Sequence, residues 1–130
     1  MSLDNNKVLI IEDDGATNLL LSDNLKSQGY EPVCAYDGVS GLDLARASQP
    51  SLIVLDLLLP GGMDGWEVCR RLRAAGARTQ HIPILVVSIV PWDHGRGTKG
   101  LEPISFVDKP FDINDLLAEA DRMTGRHFDA

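Results

Sequence analysis

The chain has 130 residues, the usual length of one folded domain, and 44% of them are hydrophobic, enough to bury roughly 68% of the surface that the unfolded chain exposes. Its formal net charge of -7 repels phosphate backbones, which argues against DNA or RNA binding by this domain. No apolar stretch approaches the roughly 20 residues that cross a bilayer, and the polar residues 1–7 do not resemble a signal peptide.

Two strands and two helices are predicted in residues 7–50. Apolar runs rich in β-branched residues predict a strand at 7–11 and a weaker one at 32–36. The apolar residues that mark the helices are Leu19, Leu20, Leu21 and Leu25 for the first, and Leu42, Leu44 and Ala45 for the second. We expect the run of three leucines to lie mostly in the core, with one of them exposed, and Gly29 and Pro50 to end the two helices.

Three more strands are predicted, at 52–55, 83–87 and 104–107. The apolar residues that mark the helices between and after them are Trp66, Val68, Cys69 and Leu72, and then Ile113, Leu116, Leu117 and Ala120. Strands and helices that alternate in this way predict right-handed βαβ crossovers and a parallel sheet covered on both faces. Such sheets bind ligands beyond the carboxyl ends of their strands.

Polar side chains follow four of the five predicted strands. They are Glu12, Asp13 and Asp14 after the first, Asp56 after the third, Ser88 after the fourth and Lys109 after the fifth. Any one of them could simply end its strand, but the set brings several carboxylates to one edge. Two carboxylates about 4 Å apart repel by roughly 4 kcal/mol at an effective dielectric constant of about 20, and a divalent cation offsets that cost. Oxygen ligands without histidine or cysteine favour Mg²⁺.

With a metal ion in place, the carboxylate of Asp56 could act as a nucleophile that forms an acyl phosphate. Lys109 is long enough to reach a phosphoryl oxygen as a point charge, and Ser88 offers a hydroxyl donor to another oxygen. The residues alone therefore indicate phosphoryl-transfer chemistry at the edge of the sheet.

Four segments in this order carry a family resemblance: residues 8–14 (VLIIEDD), 52–60 (LIVLDLLLP), Ser88, and 106–111 (FVDKPF). They resemble the receiver domains of two-component response regulators. The resemblance covers residues 7–123, the expected core of a single domain over residues 1–130. It implies a flavodoxin-like three-layer α/β sandwich with a five-stranded parallel sheet in the order 2-1-3-4-5 and about five helices.

The resemblance implies a phospho-acceptor and a Mg²⁺ site. Asp56 becomes the residue that accepts the phosphoryl group and is itself a metal ligand. Asp13 becomes the direct carboxylate ligand, and the backbone carbonyl of Leu58 a further one. Glu12 is expected to act on the metal through a water molecule.

The resemblance also assigns the residues that sense the phosphoryl group. Ser88 and Lys109 are expected to contact it. Phe106 takes the place of a switch aromatic that turns inward when Ser88 moves. The peptide bond between Lys109 and Pro110 is expected to be cis, which would fix the direction of the lysine.

Residues 89–103 depart from the family pattern. They are one residue short and contain three glycines and two prolines, which disfavour a helix because each interior glycine costs about 1 kcal/mol and proline about 3. We therefore expect the helix between the fourth and fifth strands to be short, displaced or absent, and the signal output to be rewired. The loop at 60–65 carries an extra glycine, which predicts a changed loop and an intact site.

The function that these features predict is a phospho-accepting signalling switch. A sensor histidine kinase or phosphotransfer protein would supply the phosphoryl group, and a downstream target or effector domain would respond to it. The alternative is a pseudo-receiver that binds proteins without phosphorylation. A phosphatase would need a carboxylate two residues after Asp56, where Leu58 stands, so no enzymatic activity is expected beyond the domain's own phosphorylation and dephosphorylation. Dimerisation stays open, as does the choice between a stand-alone protein and a fragment of a larger one.

Two cysteines, Cys34 and Cys69, lie far apart in apolar segments. A disulfide between them is one interpretation, but two buried free thiols in a reducing compartment is the favoured one. We therefore expect a cytoplasmic location.

Overall fold

The computed structural model describes residues 5–74, 76–89 and 97–125. Its strands are β1 (Lys7–Ile11), β2 (Glu31–Ala35), β3 (Leu52–Leu55), β4 (Ile84–Ser88) and β5 (Ile104–Asp108). Its helices are α1 (Gly15–Ser27), α2 (Gly38–Ser48), α3 (Gly65–Leu72) and α4 (Ile113–Thr124). Each strand lies within one residue of its predicted position. None of the helices in these ranges is long and apolar enough to cross a membrane.

The five strands form one parallel sheet in the order β2-β1-β3-β4-β5. Alternate residues of β1 point to opposite faces, so that Leu9 and Ile11 pack with α2 and α3, whereas Val8 and Ile10 pack with α1 and α4. Both faces are therefore buried, which explains the continuous apolar runs of the inner strands. The flavodoxin-like three-layer fold is confirmed.

Every helix in the described ranges begins after an aspartate whose side chain accepts a hydrogen bond from a backbone N–H of the first turn. The capping residues are Asp14, Asp37, Asp64 and Asp112, which accept from the N–H groups of Thr17, Ser40, Glu67 and Asn114. These caps satisfy N–H groups that have no partner inside the helix. They also fix the loops that enter the helices, at the same edge of the sheet as the carboxyl ends of the strands.

The expectation that the leucine run lies mostly in the core is wrong. Leu19 is 61% exposed and Leu20 is 47% exposed, and only Leu21 packs inside. The inward side of α1 consists of Asn18, Leu21 and Leu25, which is the spacing of one helical stripe. Because successive helical residues point about 100° apart, Leu19 and Leu20 point away from the stripe that Asn18, Leu21 and Leu25 form.

The cysteines lie on opposite faces of the sheet and both are free. Cys69 is buried on α3, where burial raises the pKa of its thiol to about 12. Cys34 on β2 is only half-buried, so the expectation of two buried thiols holds for Cys69 alone.

The described residues between β4 and β5, residue 89 and residues 97–103, contain no helix. The remainder of the predicted anomaly, residues 90–96, lies outside the described ranges. The guanidinium of Arg73, just after α3, donates hydrogen bonds to the carbonyl oxygens of Leu101 at 3.0 Å, Thr79 at 3.1 Å and Pro103 at 2.9 Å. One side chain thus attaches the segment before β5 to the end of α3. This segment belongs to the region in which the sequence predicted a short, displaced or absent helix.

Candidate functional site

The register of the sheet brings Glu12 and Asp56 side by side. Ile11 of β1 pairs with Leu55 of β3, so the residues that follow the two strands are neighbours. The backbone N–H of Asp56 donates to the carbonyl oxygen of Ile11 at 3.0 Å. Glu12 is 2% exposed and Asp56 is 7% exposed, whereas Asp13 is exposed. One carboxylate oxygen from each of these three residues lies within 4.8 Å of the other two.

Lys109 reaches this carboxylate cluster from the far edge of the sheet. Its Nζ lies 2.6 Å from Glu12 Oε1 and 3.3 Å from Asp56 Oδ2. Since β4 lies between β5 and β3, the lysine must extend across the end of β4 to make these contacts. The peptide bond that joins Lys109 to Pro110 is cis, as the resemblance implied.

The pKa values of Glu12 and Lys109 follow from burial and from the contacts of these two residues. Burial raises the pKa of the Glu12 carboxyl above its ordinary value, and the hydrogen bonds from Lys109 and from the backbone N–H of Asp14 offset only part of that rise. Burial alone would lower the pKa of Lys109, but its hydrogen bond to Glu12 and the charges of Asp56 and Glu12 outweigh it and raise the pKa. The lysine therefore stays charged at neutral pH, which places a permanent cation among the acids.

Backbone N–H groups hold the two buried carboxylates in place. The N–H of Leu58 donates to Asp56 Oδ1 at 3.1 Å, and the N–H of Asp14 donates to Glu12 Oε2 at 3.1 Å. Each carboxylate thus has one oxygen on the backbone and the other on Lys109. Asp56 is therefore fixed in direction before any ligand arrives.

Ser88 and Phe106 lie on the two strands beyond the acids. Ser88 ends β4, is buried, and accepts a hydrogen bond at its carbonyl oxygen from the N–H of Lys109 at 2.9 Å. Phe106 on β5 is half-buried, and its ring centroid lies 6.2 Å from that of Trp66 at an interplanar angle of 43°. The expected switch aromatic therefore contacts the first turn of α3.

Gly65 is a site residue that the sequence analysis missed. A Cβ atom at this position would lie 2.5 Å from the carbonyl oxygen of Asp56 and 2.6 Å from Cα of Leu57. The N–H of Gly65 donates to the carbonyl oxygen of Leu57 at 2.8 Å. The start of α3 therefore packs directly on the backbone of the acceptor residue. A glycine directly after the capping Asp64 is the sequence signal that could have revealed this close approach.

A family model described as the response regulator receiver domain matches residues 8–121, most of the chain. The chain belongs to the response regulator receiver domain family. Receiver domains are the signalling switches of two-component systems.

Solved structures agree with this assignment. Chemotaxis protein CheY4 of Vibrio cholerae is 26% identical, with 90% of this chain and 97% of that chain covered and a TM-score of 0.80. The signal receiver domain of a signal transduction histidine kinase from Syntrophus aciditrophicus is 27% identical, with 92% and 89% covered and a TM-score of 0.76. The receiver domain of the Pseudomonas aeruginosa sensor histidine kinase PA1611 is 23% identical, with 92% and 97% covered and a TM-score of 0.80.

Proposed function

We propose that this receiver domain is a phospho-accepting switch in which Asp56 takes a phosphoryl group from the phosphohistidine of a sensor histidine kinase or phosphotransfer protein. The observation that carries the proposal is the contact of the Lys109 ammonium with both Glu12 and Asp56, beside Asp13. A nucleophile, the acids of a metal site and a phosphate-binding cation are thus gathered at one point. A fold kept only for protein binding would not require this grouping, because the grouping contains buried charges that cost stability.

The donor set of the proposed site fits Mg²⁺. Three carboxylate oxygens within 4.8 Å of one another suit a hard cation that keeps several of its waters. We assign Asp13, Asp56 and the backbone carbonyl of Leu58 as ligands, with Glu12 acting through a water. When bound, the ion supplies charge neutralisation for the acids and for the phosphoryl oxygens. The receiver domain of PA1611 has a magnesium ion in its active site cleft, but at 23% identity that similarity bears on the fold, so the assignment rests on the carboxylates.

In the proposed reaction a carboxylate oxygen of Asp56 attacks the phosphorus atom as the phosphorus–nitrogen bond of the phosphohistidine breaks, and an acyl phosphate forms. The N–H of Leu58 already holds Oδ1 of Asp56, at 3.1 Å. Lys109 shifts its charge from the carboxylates to a phosphoryl oxygen, and Ser88 donates its hydroxyl to another. The domain is therefore a reactant that catalyses its own modification and no external reaction.

The signal would leave the site through Phe106. As Ser88 moves towards the phosphoryl group, the ring of Phe106 is expected to turn inward and to change its contact with Trp66. A downstream target, or an effector domain outside these residues, would recognise the altered surface. Because the described part of residues 89–103 contains no helix, we propose that this surface differs from that of ordinary receivers. The free thiols of Cys34 and Cys69 suit the reducing cytoplasm.

Intact mass measurement after incubation with Mg²⁺ and acetyl phosphate tests the acceptor. We expect one phosphoryl adduct on the wild type and none on Asp56→Asn. Asp43→Asn is the control, because Asp43 is exposed and pairs with Arg46 on the surface of α2, and it should gain the adduct normally. An adduct on Asp56→Asn would place the acceptor elsewhere. No adduct on any of the three proteins would favour the pseudo-receiver.

A further inference from the structure

We infer that Asn18 is a positioning residue that holds Glu12 and Asp13 in the geometry required for metal binding. Asn18 lies on the inward side of α1 and is 1% exposed. Its amide donates to backbone carbonyl oxygens, those of Glu12 and Ala35, so it would act on the acids through the backbone. The expected effect on metal binding rests on the proposed function. The expected effect on the loop of residues 12–14 rests only on the contacts of Asn18.

The amide of Asn18 binds two carbonyl oxygens at the edge of the sheet. Its Nδ2 donates to the carbonyl oxygen of Glu12 at 3.0 Å and to that of Ala35 at 3.3 Å. The carbonyl oxygen of Ala35 also accepts the N–H of Glu12 at 3.1 Å. One side chain therefore joins the end of β2, the residue that leaves β1 and the first turn of α1.

The orientation of this amide is fixed by its partners. Both contacts are to acceptors, so the NH₂ group must face them, because the rotated amide would place an oxygen against two oxygens. The Oδ1 atom is then buried, and it accepts no hydrogen bond from the described part of the chain. A buried acceptor without a donor lowers stability.

A leucine would avoid this cost. The other inward residues of α1 are Leu21 and Leu25, and leucine has the same branching and number of side-chain heavy atoms as asparagine. What leucine cannot provide is the pair of donated hydrogen bonds. The buried oxygen of Asn18 costs stability. The hydrogen bond that attaches the backbone of Glu12 is therefore what Asn18 provides in return.

That attachment bears directly on the acids. On the far side of Asp13, the loop is fixed by Asp14, which caps α1 through the N–H of Thr17 at 3.0 Å. On the near side it is fixed by Asn18 through the carbonyl oxygen of Glu12. Asp13 itself is exposed, so no packing holds it. Mg²⁺ demands nearly ideal octahedral geometry, and residues that orient metal ligands typically change affinity by about 10–100-fold when removed.

The test compares Asn18→Leu and Asn18→Ala with Leu25→Ala, a control that weakens the same side of α1 without touching the loop. Isothermal titration calorimetry measures the Mg²⁺ dissociation constant, and hydrogen exchange of the backbone N–H groups of residues 12–14 is followed without metal. We expect both Asn18 variants to bind Mg²⁺ about tenfold more weakly and to exchange faster at residues 12–14. Leu25→Ala should lower the denaturation midpoint while the Mg²⁺ constant changes by less than about twofold.

Two results would overturn the inference: unchanged exchange at residues 12–14 in both Asn18 variants, or equal losses of Mg²⁺ affinity in the Asn18 variants and in Leu25→Ala. If the wild type itself binds no Mg²⁺, the proposed metal site fails, and the exchange measurement alone decides whether Asn18 holds the loop. Asn18→Ala keeps the test usable if the Asn18→Leu variant does not fold.

Discussion

At the scale of single residues, Lys109 places one positive charge between two buried carboxylates, those of Glu12 and Asp56. The sequence predicted that all three residues would meet, because each follows a strand of a parallel sheet. It did not predict that the lysine would lie closer to Glu12 than to Asp56. Strand ends fix which edge a side chain occupies, whereas distances of a few ångströms depend on the direction of the chain after each strand.

Replacing Lys109 by methionine should destabilise the metal-free domain by about 3–5 kcal/mol at pH 7.5, because two buried carboxylates would lose their counter-charge. The deficit should shrink as the pH falls towards 5. The pKa of Glu12 is already raised by burial, and it would rise further without the ammonium. A group whose folded pKa exceeds its unfolded pKa adds stability below the unfolded pKa, and this stability is lost as the pH rises through the folded pKa. The variant should therefore regain stability at low pH, where Glu12 is protonated. Urea unfolding at several pH values, without metal, measures both effects.

Arg46→Met is the control for this prediction. Arg46 and Asp43 are exposed and 3.8 Å apart, so the loss should stay below about 1 kcal/mol and depend little on pH. Equal losses in the two variants would show that the buried contacts of Lys109 contribute no more than a surface pair.

At the scale of elements, the sequence predicted the strands almost to the residue, because continuous apolar runs have few alternatives to a buried strand. The helices were less well described. Periodicity located α1 but did not show which leucines face inward, because Asn18 takes one of the inward positions. The attachment of residues 101–103 by Arg73 had no sequence signal, because an arginine after a helix usually points into water.

The junction of β3 and α3 gives a prediction about Gly65. Gly65→Ala should destabilise the domain by about 1–3 kcal/mol and slow phosphorylation by acetyl phosphate, because the added methyl group would collide with the backbone of Asp56 and Leu57. The colliding atoms are backbone, so the acceptor itself must shift. Urea unfolding and the initial rate of adduct formation measure the two effects.

Gly15→Ala is the matched control, since Gly15 also starts a helix but a Cβ atom there meets nothing within 4 Å. Its stability should stay the same or rise by up to about 1 kcal/mol, with an unchanged rate of adduct formation. A Gly65→Ala protein that behaves like Gly15→Ala would show that α3 can move away from the site without consequence.

At the scale of the whole molecule, the order of strands decides where charge collects. The order β2-β1-β3-β4-β5 makes β1 and β3 neighbours, although a helix, a strand and a second helix separate them in the sequence. β2 lies on one side of β1 and the later strands lie on the other, so the order of the strands reverses between β1 and β3. The acids of both strands therefore converge in a protein whose net charge is already -7. The sequence predicted this convergence through the parallel sheet, and the family resemblance supplied the order.

Binding of Mg²⁺ should consequently stabilise the entire fold. A ligand that binds only the folded state adds about 2.7 kcal/mol when its concentration is 100 times its dissociation constant, which for a domain of this size raises the Tm by roughly 10 °C. Differential scanning calorimetry in MgCl₂, compared with EDTA and NaCl at the same ionic strength, measures the shift and separates binding from screening. Asp13→Asn should fold normally, because Asp13 is exposed, and should lose most of the shift. A shift of equal size in Asp13→Asn would mean that Mg²⁺ acts on the surface charge as a whole, and Asp13 would no longer count as a ligand.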